Sequence, residues 1–457
     1  MNALIISAVF GVIMMFTGIF VKQKPVTRNI AIAGVALLLL VNILEMSGID
    51  FFKVHTAGFM LFDRFALLFN SVAFGSTLIY FILSAPDMEK VGHYYADYFA
   101  LIFFILCGVV LVASFQSLLI LFLGIEIISI PLYILTGSNK RNLISNEASL
   151  KYFLMGAFST GIMLMGITLL YGATGTFDTQ FMNIETEGTS ALVIAGMLLL
   201  FFSMAFKVSA VPFHFWTPDV YDGCPTVFTS FMATVVKSAA FVGFIRLFYD
   251  AFGSIHDDWK LVAAIITALT LLVGNITAVF QQSVKRMLAY SSISQAGFML
   301  LGLLALNATS KEGIILYATA YSLATIGIFA ILLKMNDHSF ESFNGFARQQ
   351  PLLAGVNVIF LLSLAGIPLT AGFLAKFYML KATLESGDFL WLVILAVIMA
   401  AVSVYYYFRL IQAMYFKEGD GNAIEVSPGF KLMLVIVAAC LIVLGVFPNL
   451  LLNWLYF

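Results

Sequence analysis

The sequence predicts an all-α polytopic membrane protein of about fourteen transmembrane helices, and three observations predict it. Of the 457 residues, 62% are hydrophobic and only 10% charged, against roughly 45–50% and about 25% in soluble domains. That leaves too little polar surface to cover a water-exposed globule. Mean hydropathy is +1.03. The apolar stretches are long and continuous rather than alternating, which argues against a β-barrel, and many reach the ~20 residues that a helix needs to cross the hydrocarbon core.

Along the chain the approximate cores of these runs are 3–21, 29–46, 60–84, 97–113, 115–136, 148–171, 190–211, 225–249, 260–280, 285–306, 312–334, 351–380, 388–416 and 430–455. The first run has no A-x-A-like cleavage site and further spans follow it, so it reads as a retained helix rather than a signal peptide. Orientation follows from the loop cations. Odd-numbered loops carry Lys22, Lys24, Arg28, Lys90, Lys140, Arg141, Lys285, Arg286, Lys334, Arg348, Lys417 and Lys431, which is 12, and even-numbered loops and their edges carry Lys53, Arg64, Arg246, Lys260, Lys311 and Lys381, which is 6. The odd loops are therefore expected in the cytoplasm and both termini on the opposite side. The loop 172–189, with Asp178, Glu185, Glu187 and no Lys or Arg, fits the outer side. The longest polar connections are only 15–20 residues or so, which leaves one transmembrane domain over 1–457 and no soluble head.

Several function classes are disfavoured at once. Net charge is −1, which points to neither nucleic acid nor polybasic lipid capture. Cys107, Cys224 and Cys440 are far apart with no CxxC pair, against a zinc or iron–sulfur centre within this chain. The five histidines are scattered. No GxGxxG or GxxxxGK[ST] loop is present, so no nucleotide site is expected.

The informative residues are charges inside apolar runs. The 23 basic residues less the 12 and 6 above leave five, Lys151, Lys207, Lys237, Lys376 and Arg409, and Glu126 is the acid that lies mid-span. A charge at the centre of a helix costs roughly 2.5–3.5 kcal/mol on insertion scales, so these residues need a reason. Arg409 lies near a helix end and reads as structural. For Lys151 two readings stand: snorkelling or pairing with Glu147 at i−4, or a role with protons. Lys207, Lys237 and Lys376 lie deeper and read as proton carriers, because burial disfavours the charged form of an amine and lets a lysine exchange its proton where a surface lysine cannot. Glu126 is placed to modulate them: at about 8–10 Å and an effective dielectric near 20, a Glu–Lys pair interacts by roughly 1.5–2 kcal/mol. A static ion pair is the alternative.

Two of these lysines adjoin helix breakers. Pro212, Pro218 and Pro225 follow Lys207, and Gly366, Pro368 and Gly372 precede Lys376. Proline removes a backbone donor, and irregular backbone at membrane depth survives only in protein or beside a wet cavity. Broken helices next to ionisable residues resemble transporter ion sites; ordinary kinks are the other reading. A faint repeat at an offset of 165 lays LGIEIISIP (123–131) on LAYSSISQA (288–296), Tyr152 on Tyr317 and Thr160 on Thr325. It suggests two five-helix units, about 97–250 and 259–416. In the second unit Asn275, Thr277, Gln281, Gln282, Ser291, Ser292, Ser294 and Gln295 form a neutral polar string, either for holding water or for bonding helices together.

At these residues the chain resembles the antiporter-like, proton-pumping membrane subunits of respiratory complex I, most closely the N-type subunits of NADH-quinone oxidoreductase. The segments that carry the resemblance are 123–135, 146–178, 206–226 with FKVSAVPFHFWTPDVYDGCPT, 284–302 and 363–377. The Glu and Lys alone are shared with multisubunit cation/proton antiporters, which are the alternative. The resemblance implies fourteen helices with two inverted five-helix repeats, each holding a broken helix. It implies that Glu126 and Lys207 form the modulating pair, that Lys237 lies on a central polar axis, and that Lys376 faces the exit. Lys151 matches an additional helix-6 lysine, and His214 the histidine after the break. Lysine at 376 differs from the glutamate of M-type subunits, and no long lateral helix follows as in L-type ones. Cys224 stands where alanine is expected. The implied protein binds no cofactor, with flavin and iron–sulfur clusters in partner subunits. Its partners are the neighbouring antiporter-like and small membrane subunits and the lipids of a bacterial inner membrane.

Overall fold

The computed structural model describes the whole chain except residues 50, 53, 55, 57, 93, 183, 185–188, 336, 420–424 and 457. Lys53, Glu185 and Glu187 of the loop analysis lie outside the described residues. The chain is built of helices: α1 (Asn2–Phe20), α2 (Lys24–Met46), α3 (Arg64–Met88), α4 (Tyr95–Ser114), α5 (Leu118–Thr136), α6 (Leu143–Thr174), α7 (Ala191–Lys207), α8 (Trp216–Gly223), α9 (Thr226–Phe231), α10 (Lys237–Phe252), α11 (His256–Val279), α12 (Val284–Ala305), α13 (Ala308–Leu332), α14 (Phe346–Gln349), α15 (Pro351–Ala365), α16 (Ala371–Glu385), α17 (Leu390–Phe416), α18 (Pro428–Val446) and α19 (Asn449–Leu452). Eleven helical runs among the described residues are long and apolar enough to cross a membrane, and α7 and α15 are shorter apolar helices. The run Thr226–Val279 counts once among the eleven. It contains a π-helical turn at Met232–Val236 and a 3₁₀ turn at Gly253–Ile255.

Helix starts follow their caps. Asp63, Ser117, Asn142, Ser190, Ser283, Asn307 and Ser427 each accept a bond from the first turn of the helix that follows, which satisfies donors that the helix itself cannot. The helices pack in two zones. In α4, α12 and α13 the apolar windows are 83%, 94% and 94% buried, whereas in α1 and α18 they are 28% and 22% buried. The former make the interior and the latter turn leucine, phenylalanine and isoleucine outward, as lipid contact requires.

Side-chain contacts sort the connections into two ends. At one end the start of α2 meets the end of α3 (Lys24–Glu89, 3.7 Å), the end of α3 meets the end of α13 (Asp87–Lys334), and the first part of α6 and the start of α12 meet the first turn of α8 at Asp219 (Lys151 3.1 Å, Arg286 3.3 Å). At the other, Arg246 on α10 donates to the carbonyls of Ala113 and Phe115 at the end of α4 and pairs with Asp63 before α3 (3.1 Å). Lys260 on α11 meets Asp388 after α16 (2.7 Å). An isolated antiparallel bridge joins Ser117, before α5, to Asp178, after α6; a second joins Ser283, before α12, to Ser339, after α13.

Several sequence expectations need correction. Arg246 and Lys285 read as loop-edge charges, yet they are 5% and 3% exposed, because main-chain carbonyls at helix ends solvate them. Lys151 keeps the pairing with Glu147 at i−4 that its position suggests (2.8 Å), with its side chain 44% exposed. The last apolar run ends as a helix at Val446, and Pro448 starts a separate short turn.

Candidate functional site

The site is a set of three lysines at or near helix discontinuities, Lys237 and Lys376 buried and Lys207 partly so. Lys207 is the last residue of α7. Residues 208–215 leave helical geometry, with Ser209 at φ 65°, and α8 resumes at Trp216. Pro218 lies in the first turn of α8, where a missing N–H costs nothing, and Pro212 lies in the break. The break is pinned: Val211 donates to Thr270 on α11 (2.9 Å), Trp216 Nε1 to the Phe206 carbonyl (3.1 Å) and Thr217 to Ser209 (2.6 Å). The Trp216 indole stacks on Tyr152 of α6 at 4.7 Å. The second break is shorter. Helix α15 ends at Ala365, Gly366 takes φ 84°, Pro368 and Leu369 follow, and α16 begins at Ala371.

Lys207 Nζ donates to Ser129 Oγ on α5 (3.0 Å). Glu126 lies three residues before Ser129, on the same face of α5. Its carboxylate accepts from Thr160 on α6 (2.7 Å), and its charge acts on Lys207. The two are not a closed ion pair: Lys207 bonds Ser129 and Glu126 bonds Thr160, with Glu126 and Ser129 one turn apart on α5. Such a pair can tighten or loosen through small side-chain movements.

Lys237 follows the π-helical turn and is 2% exposed. Its ammonium donates to the hydroxyl (3.0 Å) and carbonyl (3.2 Å) of Ser292 on α12 and faces the Tyr221 ring of α8 at 5.6 Å. Lys376 is 5% exposed. It donates to the Ala365 carbonyl (3.0 Å), an acceptor freed by the end of α15, and lies over the Phe298 ring at 4.6 Å. Further polar groups lie between these two lysines, beside Ser292 at one end and Ala365 at the other. Ser291 bonds the Tyr407 hydroxyl, which accepts from Gln295 (3.1 Å). Gln295 also donates to the Leu364 carbonyl (3.0 Å), next to Ala365, and accepts from Tyr317. A narrow cavity beside Gln295, Tyr317, Tyr321, Ser363 and Gly372 leaves about 10 Å³ for the centre of a water-sized sphere, about one water molecule.

Among the described residues no carboxylate lies within ion-pair distance of Lys207, Lys237 or Lys376. Their partners are neutral oxygens, which can serve an amine as well as an ammonium. Lys151 is different: it pairs with Glu147 (2.8 Å) and Asp219 (3.1 Å) at the exposed end of α6. His214 is buried in the first break, packed on Phe215, with Nδ1 unbonded. Arg409 donates to the Val279 and Gln281 carbonyls at the end of α11 (3.4 and 2.7 Å), a structural task. Sequence reasoning missed Ser129, Thr160 and Tyr407 as partners, and the π turn, which no proline or glycine marks. Among the described residues no group of three or more His, Cys, Asp or Glu side chains is arranged to hold a metal ion.

Residues 116–403 match the family of NADH:quinone oxidoreductase/Mrp antiporter transmembrane proteins. A relative from Cytophaga hutchinsonii, the NADH-quinone oxidoreductase subunit N, is 40% identical over 99% of both chains. The chain belongs to the subunit N family. Among solved structures, a chain of respiratory complex I from Thermus thermophilus is similar to this subunit N family member at a TM-score of 0.84 and 32% identity, over 99% of this chain and 98% of that one. A chain of the Mrp complex from a Dietzia species shares the fold at a TM-score of 0.86 and 18% identity, over 99% of this chain and 95% of that one.

Proposed function

We propose that the chain is a proton-translocating membrane subunit of an NADH:quinone oxidoreductase. The observation that carries this reading is the full-length match to subunit N relatives. Electron transfer occurs in partner subunits, among neighbouring antiporter-like and small membrane subunits, and this chain takes no redox step; the scattered cysteines and histidines support that. The fourteen apolar runs each cross the membrane once, with 226–279 crossing twice about the turn at Gly253. The spans about 97–250 and 259–416 are two inverted five-helix units. The bridges before α5 and α12 and the breaks after α7 and α15 recur in matching order and support this. The membrane is a bacterial inner membrane, with both termini periplasmic.

In this reading, coupling reaches the Glu126–Lys207 pair as a small displacement. When Glu126 approaches, Lys207 holds its proton; when it recedes, the proton moves through water to Lys237, then past Gln295 to Lys376. His214 and Lys151 flank the line. The Mrp antiporter fold supplies a second reading, with an ion gradient in place of a redox partner.

Purification of the tagged chain in mild detergent tests the choice. NADH oxidation together with flavin and iron–sulfur absorbance is expected to co-purify, and Lys207→Ala is expected to cut both proton pumping and coupled quinone reduction. Co-purification of small membrane proteins without flavin, with cation-dependent proton flux, would favour the antiporter reading. Wild-type pumping stoichiometry in Lys207→Ala would overturn this reading.

A further inference from the structure

Ten lysines of the described chain fall into two groups by their partners. Lys24, Lys90, Lys151, Lys260, Lys334 and Lys381 each lie within ion-pair distance of a carboxylate. Lys207, Lys237 and Lys376 have neutral oxygens. Lys285, at the start of α12, belongs with the second group. It is 3% exposed, and its ammonium donates to the main-chain carbonyls of Asp222 (2.8 Å) and Cys224 (2.6 Å), at the end of α8.

Its position is also specific. Just outside it, a solvent-open pocket with about 120 Å³ of room is lined by Glu147, Lys151, Asp219, Asp222 and Arg286. Asp222 faces both ways: its carbonyl holds Lys285, and its carboxylate reaches into the pocket, 3.5 Å from Arg286. The other titratable groups facing Lys285 are the Cys224 thiol and His338 from the loop after α13. On the inner side, Lys285 and Ser292 are seven residues apart on α12. They therefore share a face, about 10 Å apart along the axis, and Ser292 is the partner of Lys237.

We propose that Lys285 is the loading lysine of the proton path, taking protons from the Asp222 pocket and delivering them to Lys237. The Lys285 ammonium gives one proton, through water along α12, to the Lys237 amine. The Lys285 amine then regains one proton from solvent by way of the Asp222 carboxylate. This rests on the proton-translocating reading and adds its uptake site. Tyr221, on the same short helix as Asp222, lies against Lys237, so movement of α8 would reach both lysines together.

A purely structural Lys285 would cap the carbonyls at the end of α8, and an arginine could do the same. Arginine cannot release its proton in a protein, so the pair of substitutions separates the roles. In inverted membrane vesicles holding the assembled complex, proton pumping per NADH oxidised is measured for Lys285→Met, Lys285→Arg and Lys207→Ala. A loss of tenfold or more in both Lys285 variants is expected. Wild-type pumping in Lys285→Arg would overturn the proposal. If that variant does not assemble, Asp222→Asn decides, because it keeps the carbonyl: a threefold or greater loss supports the uptake route and an unchanged rate overturns it. Lys207→Ala tells the two failures apart. If it stops pumping while Lys285→Arg does not, only the uptake site falls; if both pump normally, the translocation reading falls with it.

Discussion

Ser129 shows how one hydroxyl sets the behaviour of a charge. It is the hydrogen-bond acceptor of Lys207 among the described residues, and a buried donor left without a partner costs about 1–3 kcal/mol, more when charged. Ser129→Ala is expected to lower the thermal stability of the purified complex by that order and to cut pumping several-fold, while Ser129→Thr, which keeps the hydroxyl, stays near wild type. Equal behaviour of the two variants in a melting scan and a pumping assay would remove Ser129 from the pair. A second residue-scale consequence concerns pH. His338, in the loop after α13, has its pKa lowered to about 4, first by burial and then by the nearby Lys285 charge. The unfolded imidazole, near 6.5, binds a proton that the folded one refuses, so stability is full above about pH 6.5 and is lost as pH falls towards about 4. Melting of the detergent-solubilised chain at pH 7 and pH 5 is expected to show this loss, and His338→Asn is expected to lessen it. The residues themselves were legible in the sequence as intramembrane charges. Their partners were not, since Ser129, Thr160 and Tyr407 gain meaning only when α5, α6 and α17 are packed.

At the scale of elements, the two broken helices are the parts that proline and glycine announce most clearly, and both breaks fall at the residues so marked. Each also holds a non-glycine residue in the left-handed region, Ser209 at φ 65° and Leu369 at φ 73°, a conformation costing of order 1–3 kcal/mol that survives where surrounding packing enforces it. Gly366 uses the same region at φ 84°, and a Cβ there would come 2.9 Å from Lys376 Cδ. Gly366→Ala is therefore expected to cost about 1–2 kcal/mol from backbone alone. It should also displace Lys376 from the Ala365 carbonyl, so pumping falls although no charge changes. Leu369→Gly makes the opposite change at an exposed side chain and is expected to raise stability by about 1 kcal/mol. Loss of pumping in Gly366→Ala and retention in Leu369→Gly, in vesicles with matched complex content, is the pattern that checks this. The π turn before Lys237 had no such signal: MATVV reads as ordinary helix, and the extra residue of the turn carries no proline or glycine mark.

For the whole molecule, the sidedness argument and the contacts reach the same arrangement independently. Loop cations alone separate odd from even connections. The side-chain contacts then gather Lys24, Lys151, Arg286 and Lys334 at one end, and Arg246, Lys260 and their acids at the other. Arg246 and Lys285 count as loop and loop-edge charges in the sequence; their burial is not legible there because carbonyls over sixty residues away help to solvate them. Removing that pair, one from each side of the count, leaves the bias at 11 against 5, so the orientation does not depend on them. The prediction is topological. Gln23, between α1 and α2, and Gln180, after α6, are both exposed and neutral, so cysteine at either place perturbs neither packing nor charge. With the three native cysteines replaced, a membrane-impermeant maleimide is expected to label Gln180→Cys and not Gln23→Cys in intact spheroplasts, and the reverse in inverted vesicles. The opposite pattern would turn the molecule over. The Asp222 pocket, which shares its end with Lys24 and Lys334, would then open to the periplasm, and Lys285 could only release protons there, not load them.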